Sequence, residues 1–152
     1  LAVFITSLLS GNVPHATAEE ARLQLRMADE YESVSDYLAN LEKFDHKLHD
    51  KELRFTKSQR KDLLELNELL QQYLNMVNDS LKQRNTDVIT KLETIGKRIR
   101  DLLKALRRKH LDALSSGDIQ PQVSVAYLAA LNAYARVRDH SRNIAEAVSG
   151  EK

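Results

Sequence analysis

The sequence predicts an all-α protein built of antiparallel helical bundles. Three observations carry that expectation. Apolar residues recur at alternating steps of three and four along most of the chain, the period that gives a helix a single apolar stripe. Gly11, Pro14, Gly117 and Pro121 punctuate this period at two joints, where they can end one helix and open the next. No segment reads as a strand, and four glycines, two prolines and no tryptophan in 152 residues point away from an all-β fold.

The elements follow in order. Residues 1–10, "LAVFITSLLS", read as a short helical stub. A long helix is expected over 17–52, with Leu23, Met27, Val34, Leu38, Leu41 and Leu48 as its stripe and Thr17-x-x-Glu20 as a capping box. A second is expected over 57–84. It is opened by Thr56-x-x-Gln59 and striped by Leu63, Leu66, Leu70, Tyr73, Val77 and Leu81. Asn85-Thr86 separates it from a third, over 86–115, whose Val88, Leu92, Ile95, Ile99, Leu102 and Leu106 step by four and three. After Gly117, Asp118 and Pro121, a fourth is expected over 122–149. It carries Val123, Tyr127, Ala130, Tyr134, Val137, Ile144 and Val148, with Ser141 filling one apolar slot. Faces of this kind suit bundle packing.

Bulk properties narrow the function. A chain of 152 residues makes one ordinary domain. The absence of cysteine excludes a disulfide framework, thiol catalysis and Cys-type zinc sites, and fits a reducing compartment. Lys and Arg, 23 in all, nearly balance 22 Asp and Glu, so no global field steers the chain toward nucleic acid. No apolar run reaches the ~18 residues of a membrane span.

The stretch from Ser7 to Glu20, "SLLSGNVPHATAEE", admits two meanings. An apolar opening followed by Ala16-Thr17-Ala18 resembles the end of a secretory leader, but the basic region such a leader needs is missing. An internal repeat gives the other meaning. "YESVSDYLANL" (31–41) lies over "YARVRDHSRNI" (134–144) at an offset of 103, matching Tyr31 to Tyr134, Val34 to Val137, Asp36 to Asp139 and Asn40 to Asn143. The joints upstream also match, "LLSGNVPHAT" over "ALSSGDIQPQVS". Gly11 then takes the part of Gly117 as a helix C-cap, and Pro14 that of Pro121. The expected organisation is the end of a first three-helix repeat over 1–54 (stub 1–10, long helix 17–52) and a complete second repeat over 55–152. The sequence would begin inside the first repeat.

The repeated third helices carry the resemblance to a known family. "DEYESVSDYLANL", with Glu32 and Asp36, and "YARVRDHSRNIAEAV", with Asp139, His140, Asn143, Ile144, Ala145 and Glu146, resemble the two signatures of the PhoU family. With Tyr31 and Asn40, these are its signature positions here. The wording "ESVSD" and the Phe55-Thr56 helix entry are most similar to PhoU-like domains fused behind sodium/phosphate cotransporter membrane domains. The resemblance covers 1 to about 149. It implies a PhoU-like pair of three-helix repeats, the first truncated, and a non-enzymatic, cytoplasmic regulatory domain modulating phosphate uptake by helix-face contacts. It implies as partner the membrane domain of the same or an associated phosphate transporter, on the cytoplasmic face of the inner membrane. A homodimer is compatible with it; nucleic acid is not expected.

Candidate chemistry is sparse. Glu32 and Asp36 are spaced i,i+4 on one helix face, with Asp29 a turn upstream, and such hard oxygen ligands suit a divalent or ferric ion shared with another helix or chain. The competing meaning is a solvated acidic face. Asp139 is the matching acid of the second signature, but the position four before it is Ala135 and arginines stand at 136, 138 and 142. An ion pair competes with metal there. His46-x-x-His49 lacks an evident third ligand and fits a polar helix end, and His140 suits donation to a carboxylate. "RIRDLLKALRRKH" (98–110) is basic and amphipathic. It fits acidic headgroups, phosphate or a transporter's loops, or simply a solvated face. No nucleophile-base arrangement, Gly-rich phosphate loop or HExxH occurs. The alternatives are a free-standing PhoU-type regulator and a carboxylate-bundle metal protein. The facing Glu-x-x-His pairs of di-iron bundles are missing, and the short joints disfavour a plain coiled-coil adaptor.

Overall fold

A computed structural model describes residues 1–83 and 87–150. Its described residues form five helices and no strand: α1 (Ala2–Leu9), α2 (His15–Asp50), α3 (Lys57–Gln83), α4 (Val88–Ser115) and α5 (Pro121–Ser149). The all-α expectation holds. The expected separator Asn85-Thr86, the helix ends placed at 84 and 86, and residues 151–152 lie outside the described residues.

Helices α3, α4 and α5 pack mutually, and α5 is the shared wall. Leu66, Leu70, Tyr73 and Val77 of α3 are buried against Val88, Leu92, Ile99, Leu103 and Leu106 of α4. From α5 come Val123, Tyr127, Leu131, Val137 and Ile144. Each such side chain removed from water stabilises the fold by roughly 1.5–3 kcal/mol before entropy is counted. Ser141 is fully buried in its apolar slot because its hydroxyl donates to the Val137 carbonyl at 2.6 Å. Its neighbours therefore see a satisfied group.

Helix α2 runs antiparallel along α5, and α1 packs on α2 alone. Arg26 faces Glu146 while Tyr37 faces His140, so residue numbers fall on one helix as they rise on the other. The stripe expected on α2 is only partly used. Val34 and Leu48 are buried, Met27 and Leu41 are partly buried against the core, and Leu38 is 41% exposed. With α5 as its main neighbour and only the short α1 beside it, α2 buries part of its stripe.

The joints refine the expected boundaries. Pro14, with φ −57° and ψ 148°, turns the chain so that α2 begins at His15, two residues early, with no side-chain cap. The Thr17/Glu20 capping box therefore does not form, and the Glu20 carboxylate instead accepts from Gln24 at 3.2 Å. The Thr56/Gln59 box does form, the Thr56 amide donating to Gln59 Oε1 at 2.9 Å and the Gln59 amide to Thr56 Oγ1 at 3.1 Å. At the other end of α2 the Glu52 amide bonds the His49 carbonyl and the Leu53 amide the Leu48 carbonyl, a Schellman ending. It stops α2 at Asp50 rather than 52 and forces Glu52 to φ 58°. Gly11 and Gly117 both return their amides three residues, to Leu8 and Leu114. Only Gly117 is left-handed, at φ 77°.

Candidate functional site

The antiparallel α2–α5 seam brings His140, Asn143 and Glu146 of the second signature against α2. Counted at 100° per residue, Glu30 falls in line with Val34, Tyr37, Leu41 and Leu48 on the face α2 turns to α5. There His140 Nδ1 lies 2.6 Å from Glu30 Oε2, and Asn143 Nδ2 donates to Glu30 Oε1 at 3.1 Å. Both carboxylate oxygens are thus engaged by α5. The side chains of Glu30 and His140 are only 19% and 26% exposed, which strengthens the contact relative to a surface pair. Tyr37 stacks on the His140 ring, centroids 5.7 Å apart and planes 22° apart. These two occupy equivalent positions at the offset of 103, so the repeated helices meet at their own matching residues.

The seam continues on both sides. Glu146 accepts from Arg142 Nε at 2.9 Å and stands 4.0 Å from Arg26 Nη2. Tyr31 reaches over to α3, donating to Asn78 Oδ1 at 2.6 Å, and Tyr134 donates to Asn67 Oδ1 at 3.4 Å. Asn40 is half-buried and takes no part in this cluster. The arrangement positions two helices, and both Glu30 oxygens are committed to α5.

The acidic candidates sit elsewhere. Glu32 and Asp36 are exposed on the far side of α2, away from Glu30. Asp139 is held by its neighbour, Arg138 donating through Nε at 3.0 Å and Nη2 at 2.6 Å to Oδ1. Glu32, Asp36 and Asp139 are not gathered into one cluster, and no group of three metal-type side chains converges among the described residues. His46 Nε2 lies 3.6 Å from Asp50 Oδ2 at the exposed end of α2, and His49 borders a shallow groove there with Asp50 and Glu52.

Sequence reasoning missed two residues. Glu30 was passed over for Asp29, Glu32 and Asp36; the signal that finds it is its register with the apolar stripe. His110 read as the tail of a basic stretch, yet it continues the α4 stripe one turn beyond Leu106 and is buried. Its Nε2 lies 2.8 Å from Ser124 Oγ, its ring stands 4.9 Å from that of Tyr127, and its Nδ1 has no partner among the described residues. Burial pushes the His110 pKa down. Burial, with the Asp62 charge, pushes Tyr127 up to about 12.

The PhoU domain model matches residues 63–148, more than half of the chain. The chain belongs to the PhoU family. No curated protein and no solved structure matches it. PhoU domains are helical bundles of a regulatory, non-enzymatic family, associated with control of phosphate uptake. Within the match lie His140, Asn143 and Glu146 of the seam. Arg26, Glu30 and Tyr37, which meet them from α2, lie before it. No helix of the described residues is long and apolar enough to cross a membrane.

Proposed function

We propose that this PhoU domain regulates a sodium-dependent phosphate cotransporter from the cytoplasmic face of the inner membrane, by presenting helix faces to the transporter's membrane domain. The observation that carries an interaction role is an open apolar groove of about 440 Å³ between the end of α2 and the start of α5, lined by Phe44, Leu48, Pro121, Val125, Ala126 and Ala129. Val125 is 70% exposed there, and an exposed apolar surface of this kind marks a contact surface. The similarity of "ESVSD" and Phe55-Thr56 to cotransporter-linked domains supports the choice of partner.

The test is sodium-dependent uptake of labelled phosphate in cells that express the native gene. Val125→Glu is expected to alter uptake without unfolding the purified domain. Unchanged uptake, with the variant protein present at native abundance, would sink the assignment. A free-standing regulator is the second reading. It predicts that the native protein fractionates apart from membranes.

Metal belongs to the same proposal. Glu32 and Asp36 supply two oxygen ligands to a divalent or ferric ion whose remaining ligands come from another chain or from water. Metal content of the purified protein before and after Glu32→Ala/Asp36→Ala tests it; equal content removes both residues from the site.

A further inference from the structure

Where α3, α4 and α5 meet, they form a small open cleft of about 70 Å³. It is lined by Tyr73 of α3, Gly96 and Arg100 of α4, and Arg138, Asp139 and Arg142 of α5. The Tyr73 ring is buried, while its hydroxyl keeps some exposure and makes no hydrogen bond to the described residues, so it is free to donate into the cleft. A Cβ at position 96 would stand 3.4 Å from Tyr73 Cε2 and 3.8 Å from its hydroxyl, so glycine is what leaves that end of the ring uncovered.

The charges round the hydroxyl are arranged for an anion. Arg138 commits Nε and Nη2 to Asp139, and Arg142 commits Nε to Glu146. The Nη1 group of Arg138 and both Nη groups of Arg142 are not used in those pairs. Arg100 forms no ion pair among the described residues. Glu93 at the rim is the one further acid lining the cavity. The two engaged carboxylates neutralise their own arginines but leave spare donors around the Tyr73 hydroxyl. Guanidinium forks match tetrahedral oxyanions in geometry as well as charge. The cavity has the volume of about two water molecules, the scale of one small oxyanion and too small for a nucleotide.

We propose that this cavity binds a single phosphate-type oxyanion, with Tyr73 donating through its hydroxyl and Arg100, Arg138 and Arg142 through guanidinium N–H groups. Burial raises the Tyr73 pKa, so the phenol keeps its proton and stays a donor at neutral pH. The oxyanion is free phosphate or the headgroup of a phosphate lipid; both present the same chemistry. As the ligand of a regulator it rests on the function proposed above; as a binding site it rests on the cavity alone.

The test is calorimetric titration of the full chain with inorganic phosphate at low ionic strength. In parallel, flotation is measured with phosphatidate vesicles and with neutral phosphatidylcholine vesicles. Expected is saturable one-to-one binding, competed by sulfate and weakened about tenfold or more by Tyr73→Phe and by Arg100→Gln. The first substitution removes only an oxygen and the second alters an exposed side chain, and circular dichroism verifies that both variants fold. Phosphate binding with no preference for phosphatidate assigns the free ion; phosphatidate binding that both variants weaken assigns the headgroup. A folded protein that binds neither, or binds equally in both variants, overturns the proposal. Binding with unchanged transport would overturn the cotransporter role and leave the site; intact regulation without binding would overturn the site alone.

Discussion

At the scale of single residues, Glu52 and His110 each hold a group where its chemistry is disfavoured. Glu52 is exposed and adopts φ 58° to complete the Schellman ending of α2. A left-handed L-residue costs roughly 1–2 kcal/mol relative to its usual basins, and glycine is relieved of this at the price of a more flexible unfolded chain. Glu52→Gly is expected to raise stability by up to about 1 kcal/mol, read as a higher urea midpoint at unchanged slope. His110 has the opposite character: it is packed under Tyr127 as a neutral ring. Its folded pKa lies below the ordinary 6.5 of the unfolded chain. Above 6.5 both states are neutral and nothing is lost. As pH falls through 6.5 toward the lower folded value, the unfolded state takes up the proton first and stability drops. The urea midpoint should therefore decline between pH 7 and 5, and His110→Gln should flatten that decline. Parallel curves for the two proteins would show that His110 is not responsible.

At the scale of elements, two capping boxes look alike in sequence and only one forms. Thr56 and Gln59 exchange both hydrogen bonds, whereas Thr17 and Glu20 lie inside a helix already begun by Pro14. Thr56→Ala is expected to cost about 1 kcal/mol. Thr17→Ala should stay within about 0.5 kcal/mol of wild type, both measured by urea denaturation. The stripes of α3, α4 and α5 were legible because their period is local and three mutually packed helices bury most of each stripe. That of α2 was over-read because its burial depends on how many neighbours it has. In α4, Leu103 and Gly96 are buried while Ile95 and Leu102 are only partly so, a rotation of the buried face that tertiary crossing sets.

At the scale of the whole molecule, charge is distributed by helix although the net charge is +1. Helix α2 carries nine Asp/Glu against four Lys/Arg, and α4 carries eight Lys/Arg against three Asp/Glu. Helix α5 packs on both, and α2 and α4 do not pack on each other. The most engaged polar contact joining α2 to the bundle is Glu30 with His140 and Asn143, beside Tyr31 with Asn78 and Arg26 with Glu146. A double-mutant cycle on Glu30→Ala and His140→Ala should give a coupling of about 1 kcal/mol or more, because each partner is left half-buried without the other. Additive effects would mean that apolar packing alone holds the seam.

The sequence by itself determined the helical class, the positions of the joints to within two residues at α2, the formed cap at Thr56 and the family signature around His140. All of these are encoded in spacings of three to twelve residues, where period, capping and punctuation act. Tertiary structure alone decided that Glu30 rather than Glu32 faces α5 and that His110 is core. It also decided that Tyr73 lines one cleft with three arginines of two other helices. Those outcomes depend on helix rotation and crossing. They are settled when apolar faces compete for a shared interior, and no local spacing records which face wins.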